Sequence, residues 1–312
     1  MGTADGMRRS GRSLLEVAGV CGLAVAQPVL ADFGAAPDWF VFHGVPTSTI
    51  VAFGVVVAVV PPLLVWAAIE TAAWGSDRRR RVAVAVAVGA LVGLLALQVA
   101  DGLPGAVRVA TALTVGAGAT AAHLRWAGVR LWSAWLAPAP PLFLGVFLLA
   151  SPVAALIAGD DVDPAELGAF GSGEPPPVVL LIFDEWPLAS IVRADGSLDA
   201  ERYPNLADLA AGSTWYRDTA TVANLTTVAV PALLTGDEPD RSRPATASSY
   251  PENLFTLLGG TYQLDVTERI TRLCPQQLCA GGGGDRADRT TSGLGVVLDE
   301  AVLCRRVGGP AV

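Results

Sequence analysis

The sequence predicts a helical membrane domain of about five spans, followed by an incomplete α/β domain. Three observations carry that expectation. First, 52 % of the 312 residues are apolar and only 16 % are charged, with a mean hydropathy of +0.48, a composition of membrane proteins. Second, charge divides the chain. Residues 1–158 hold ten of the 21 basic and seven of the 29 acidic residues, so they are basic, and the remainder is strongly acidic. Third, the long apolar runs stop near residue 158, and a short six-residue apolar run follows at 178–183.

Five runs fit the spans, near 13–31, 50–69, 82–100, 109–123 and 136–158. Crossing ~30 Å of hydrocarbon takes about 20 apolar residues. The first run carries Glu16 near its start, and the fourth is short, confined between Arg108 and Arg125. Arg108 must reach toward the interface for that run to cross. Glu70 and His123 read as residues at span ends; a proton path is the other reading. Pro61-Pro62 and the Pro138–Pro141 stretch read as kinks or interface breaks. A transporter is disfavoured, because the runs hold almost no polar residues.

Arginine sets the expected orientation. Arg8, Arg9 and Arg12 precede the first run, Arg78 to Arg81 separate the second and third, and Arg125 and Arg130 separate the fourth and fifth. The alternate connections carry Asp32, Asp38 and Asp101. Positive-inside bias makes residues 1–12 cytoplasmic and puts everything after the fifth span outside the plasma membrane. A cleaved signal peptide over the first run, or an interfacial fourth run, are the competing arrangements.

Residues 159–177 (GDDVDPAELGAFGSGEPPP) form an acidic Gly/Pro linker. Val178 to Phe183 then reads as a buried parallel strand ending in Asp184-Glu185. Helices are expected over 203–211, from Thr226 to Leu234 with a stop at Gly236, over 252–258 before Gly259-Gly260, and over 291–305. A strand or extended segment is expected over 214–222, and a strand near 261–267. Alternating strands and helices argue for a parallel α/β sheet, whose working groups gather at the carboxyl ends of strands. Asp184 stands at such an end, as a hard-oxygen metal ligand or as a cap of the next turn. An acidic half behind a basic apolar half offers no phosphate-neutralising surface, which excludes nucleic acid as a partner. Cys274 and Cys279 (C-P-Q-Q-L-C) suit a small disulfide loop; a zinc knuckle lacks a second Cys pair or a nearby His. Cys21 reads as a small buried hydrophobe, and Cys304 is left over. Gly281 to Gly284 lacks the Lys-Ser/Thr of a phosphate loop.

Three stretches, V-V-L-L-I-F-D-E at 178–185, Y-P-N-L-A-D-L-A at 203–210 and T-T-V-A-V-P-A-L-L-T-G at 226–236, together resemble the opening of sulfatase-like hydrolases and transferases of the alkaline phosphatase superfamily. The likeness covers about residues 178–279. It implies Asp184, with Glu185 a possible second, as ligands of a divalent metal (Mn, Zn, Mg or Ca). It implies Thr226, nine residues before Thr235, as the nucleophile, with Thr227 the alternative; plain helix capping is the bland reading of either. The metal would lower the hydroxyl's pKa and polarise the ester. A multi-span anchor with an outward catalytic domain also resembles membrane-bound phosphoglycerol and phosphoethanolamine transferases. That implies membrane lipids as surroundings and a lipid-linked or cell-envelope phosphoester as substrate.

Two departures qualify the resemblance. Sulfatases carry Cys or Ser at the nucleophile in a C-x-P-S-R pattern; here Thr226, Val228 and Val230 stand instead, so formylglycine is chemically out of reach and phosphoryl transfer fits better than sulfate cleavage. The family's later Asp, Asn and D-H-G ligands have no counterpart, since the two histidines, His43 and His123, lie in the membrane half. The expectation is therefore a chain cut short, unable alone to finish the metal site, with inactivity or a role as an interaction module as the alternative function.

Overall fold

The structure is a computed structural model that describes residues 2–73, 76–158, 175–184, 186–216 and 218–279. The described part is mostly helical. Four of its helical stretches are long and apolar enough to cross a bilayer: Ser10–Ala35, Thr47–Ala73, Asp77–Val99 and Ala127–Leu149. That is the architecture of a membrane protein.

The first stretch comprises α1 (Gly2–Cys21), a π-helical turn at Gly22–Ala26, and α2 (Gln27–Ala35). A π-turn widens the helix and disturbs the carbonyl ladder, and Gln98 donates to the Ala24 carbonyl at 2.9 Å. α3 (Pro37–Phe42) follows, then α4 (Thr47–Ala73), α5 (Asp77–Val99) and α6 (Gly105–Arg125). α7 (Ala127–Trp135) and α8 (Ala139–Leu149) are separated by a turn at Pro138, and α9 (Ala154–Ala158) closes the bundle. Pro61 and Pro62 lie inside α4, which continues through them.

Small residues show how the helices run. Cβ atoms added to Gly22 and Gly34 would press on Pro140 and on Ser151 with Phe147, so α1–α2 lies parallel to α7–α8. Gly54 of α4 meets Leu144 and Phe147, while Ser10 donates to Glu70 at the other end of α4. The tightest contact joins α5 to α6. A Cβ on Gly93 would lie 2.9 Å from the Ala112 carbonyl, and one on Gly116 would lie 2.8 Å from the Gly89 carbonyl. Glycines four apart let two backbones touch, the packing that works where no water drives helices together.

α6 is about 31 Å long at 1.5 Å per residue and runs antiparallel beside α5 over its whole height. It is not among the four apolar stretches, so the five expected crossings become four plus this more polar helix. Its charges are accommodated at its ends. Arg108 donates to the Leu97 carbonyl at 2.8 Å and meets Asp101 at 2.7 Å. His123, fully buried, stands 3.2 Å from the Glu16 carboxylate without hydrogen-bond geometry. Arg12 approaches the same carboxylate at 3.2 Å, and Arg130 donates to the His123 carbonyl. Glu70 pairs with Arg80 at 2.8 Å. Both acids of the sequence expectation are thus tied to cations at helix ends.

The bundle therefore has an arginine end, holding Arg12, Arg78 to Arg81, Arg125 and Arg130, and an opposite end. At the opposite end Phe33, Trp39, Phe40, Phe53 and Phe147 pack ring against ring. Residues 32–49, expected only as a connection, supply α3 to this cluster. The C-terminal region docks on it. Arg272 donates to the Val45 carbonyl at 3.0 Å, and Ser248 to the Ala155 carbonyl at 3.4 Å.

Helices form in the C-terminal region where the sequence placed them: α10 (Pro204–Ala211), α11 (Thr226–Thr235) and α12 (Leu254–Gly259). Gly236 stops α11 in the left-handed conformation, φ +80°, which glycine adopts freely. Asn253 caps α12 reciprocally with Thr256. The expected sheet is not formed among the described residues. Pairing there consists of two isolated bridges, Val192 with Leu198 and Thr246 with Arg272. Val178 to Phe183 has no strand pairing among the described residues and is between 46 and 81 % exposed, against the buried strand the sequence suggests. The stretches 214–216, 218–222 and 261–267 form no strand that could pair with it. A strand without such a neighbour has no ladder and no second face to bury. The 291–305 helix, most of the linker, Gly281 to Gly284 and Cys304 lie outside the described residues.

Candidate functional site

Asp184 ends the extended run, and Thr226 opens α11. The Thr226 hydroxyl donates to Asp184 Oδ1 at 2.6 Å. Forty-two residues apart in sequence, these two were singled out for the same site, and the structure brings them into direct contact. Glu185 lies outside the described residues.

Local sequence explains both positions. Leu225 enters α11 with an extended backbone and no side-chain cap, so Thr226 heads the first turn, where helix N–H groups lack partners from a preceding turn. Phe183 packs edge-on against Trp186 at 5.0 Å, and Trp186 against Tyr203 at 5.9 Å. That aromatic chain ties the turn after Asp184 to the start of α10, the Y-P-N-L stretch. Both polar groups face a cleft of about 1010 Å³, whose apolar wall includes Val230, Leu234 and Phe255.

Thr227 has a different place. It is buried, and its hydroxyl contacts the carboxylate of Asp38 from α3, which is also held by the Ala245 backbone N–H. Burial pushes the Asp38 carboxyl above its usual range, and these two hydrogen bonds oppose the shift. Its other oxygen, Oδ1, is buried without a hydrogen-bond partner among the described residues. Sequence reasoning treated Asp38 only as a connection without arginine. An acid inside P-D-W-F-V-F gives no local sign that it will meet a threonine 189 positions later.

Two other polar groups of the cleft, Glu268 and Thr271, are committed to each other. Glu268 accepts from Thr271, from the Leu273 N–H and from the Cys274 N–H, all within 2.9 Å. Cys274 and Cys279 form a disulfide, which closes the turn whose Leu278 packs on Gly259. Cys21 is a buried free thiol among Val17, Val20 and Ala24.

The donor set falls short of a divalent cation. Zinc takes four ligands and calcium six to eight, whereas the described residues supply two donor side chains here, Asp184 and Thr226. No group of three or more His, Cys, Asp or Glu stands together among the described residues. Comparison with protein-family models, with curated proteins and with solved structures finds no match to the chain.

Proposed function

We propose that the chain is a membrane-anchored hydrolase or transferase of phosphate esters, with sulfate esters less suited, acting at the outer face of the plasma membrane on lipid-linked or envelope substrates. The observation that supports this reading is the 2.6 Å hydrogen bond from Thr226 to Asp184 at the mouth of the cleft. A nucleophile bonded to its base is the arrangement that makes a weak hydroxyl reactive. Asp184 takes the proton, Thr226 Oγ forms a bond to phosphorus, and the ester oxygen leaves with its electron pair. Water or an acceptor hydroxyl then releases the phosphoryl group from threonine. The first turn of α11 presents N–H groups toward the anion. A divalent cation belongs to the same proposal, but its remaining ligands are not among the described residues, and no step above passes through it.

Thr226→Ala is expected to lower hydrolysis of an aryl phosphodiester by at least ~10²-fold, assayed with Mn²⁺ or Zn²⁺, while Thr227→Ala leaves most of it. Equal activity in wild type and Thr226→Ala removes the nucleophile. The donor set of two side chains among the described residues favours one other reading, an inactive membrane protein serving as an interaction module. No turnover by the folded wild-type chain decides for that.

The orientation rests on arginine. Arg78 to Arg81, Arg125 and Arg130 share the end of the bundle away from the docked region, and positive residues favour the cytoplasm. Ser197→Cys should react with a membrane-impermeant maleimide in intact cells and Arg79→Cys should not. The reverse labelling pattern would invert the topology.

A further inference from the structure

A second cavity, of about 570 Å³, lies away from the Thr226 cleft. It is a groove on the bundle surface between α2 and α8, floored by Leu30, Gly34, Phe143 and Phe147 and roofed by Arg241 and Arg243 of the docked region. We infer that this groove seats one anionic phospholipid from the adjoining leaflet, acyl chain between α2 and α8, phosphate against Arg241 and Arg243. The inference stands apart from the phosphoester reading.

Dimensions, chemistry and charge fit that occupant together. From Gln27 to Ala35 the groove follows α2 for about 12 Å, most of a single leaflet's ~15 Å of hydrocarbon. Its volume falls within the roughly 300–1,000 Å³ of ligand cavities. Val146 is 50 % exposed on its open side, so a lipid chain enters laterally without passing through water. The walls between are apolar, Gln27 lies at the inner end, and the charged lining gathers at the top. There the charged lining groups are two guanidinium ions and one carboxylate, Asp38.

Neither arginine is spent on a buried ion pair. Arg241 is exposed and donates one hydrogen bond to Asn224, at 2.7 Å. Arg243 donates to the Ser249 carbonyl, stacks on Tyr250 at 4.0 Å and stands 4.0 Å from the Asp237 carboxylate. The Asp240 carboxylate accepts from the Ser242 hydroxyl and N–H. A guanidinium has five N–H donors, more than these contacts use, and binds a phosphate in a planar fork. The Oδ1 atom of Asp38, buried and unpartnered, stands at the same rim and accepts from a headgroup hydroxyl.

The test uses the full chain in neutral detergent micelles, read by native mass spectrometry and thermal unfolding. Phosphatidylglycerol, phosphatidylcholine and soluble glycerol phosphate are titrated separately. Expected are a one-lipid adduct and a raised Tm with phosphatidylglycerol, favoured over phosphatidylcholine by roughly tenfold or more. The Arg241→Gln/Arg243→Gln pair should erase the preference, and Ala31→Trp, on the exposed wall of the groove, should weaken both lipids alike. Because Arg243 also packs on Tyr250, Arg241→Gln alone and Ala31→Trp keep the outcome readable if the double variant unfolds. Equal binding of both lipids, a preference unchanged by these substitutions, glycerol phosphate matching the whole lipid, or a lipid-free dimer in which Ala31→Trp blocks dimerisation would each overturn the inference.

Discussion

Adjacent hydroxyls at the head of α11 are divided between two partners. Thr226 points to Asp184 across the cleft, and Thr227 points to Asp38 beneath it. Two neighbouring side chains on a first turn diverge by about 100°, which is what lets one turn serve both a candidate nucleophile and a docking contact. Asp38 carries a pH signature. Its carboxyl is raised from the usual 3.8, so folding favours the protonated form. Its stabilising contribution is complete below the unfolded value and disappears as pH rises through the folded one. Asp38→Asn should therefore gain Tm relative to wild type on going from pH 3.5 to pH 7. Parallel Tm profiles for the two proteins would remove the assigned burial. At this scale much of the candidate site was readable. Asp184 closes an apolar run and Thr226 lies nine residues before the Thr of T-G, patterns local to a few residues. Asp38 was not readable, because its role exists only after the bundle and the C-terminal region meet.

Helices were legible and strands were not, for one reason. A helix satisfies its backbone within itself, so α10, α11 and α12 emerge from caps, periodicity and a stopping glycine. A strand satisfies its backbone only against another strand. Val178 to Phe183 has the composition of one, yet no strand pairs with it among the described residues. α6 shows the intermediate case. Hydropathy undervalues it because Arg108, His123 and Arg125 offset its alanines and glycines. Its fit against α5 depends on Gly89, Gly93, Ala112 and Gly116, which a hydropathy sum scores as nearly neutral. Gly116→Ile forces a side chain into the Gly89 carbonyl and should destabilise the bundle by about 1–3 kcal/mol or more. Thermal unfolding in detergent measures it. Gly118→Ile, on the same helix with open space at its Cβ, is the control, and equal losses in both would deny the close α5–α6 contact.

Across the molecule, apolar surface is distributed between two solvents. The bundle's exposed valines and leucines suit a hydrocarbon surround, as do Trp126, Trp132 and Trp135 along α7. Val178 to Phe183 is different, since it follows the bundle in sequence and its backbone has no strand partner among the described residues. Open apolar edges recruit other chains. Val179→Lys together with Leu181→Lys should reduce aggregation of the purified protein, seen by size-exclusion chromatography, without lowering Tm. A large fall in Tm would mean that the segment is packed in solution. The docking contacts, Arg272 to Val45 and Ser248 to Ala155, could not be foreseen from either half alone, because each joins a side chain to a backbone carbonyl on a distant loop.

The glycine seam between α5 and α6 bears on how the protein is made. A helix with a guanidinium near its beginning partitions poorly into lipid by itself, so α6 should enter during synthesis only as the second arm of a hairpin led by α5. Widening that seam would then do more than loosen packing. With α6 left behind, α7–α8 would thread in the reverse sense, and the region that docks on Val45 and Asp38 would emerge on the opposite side of the membrane, out of their reach.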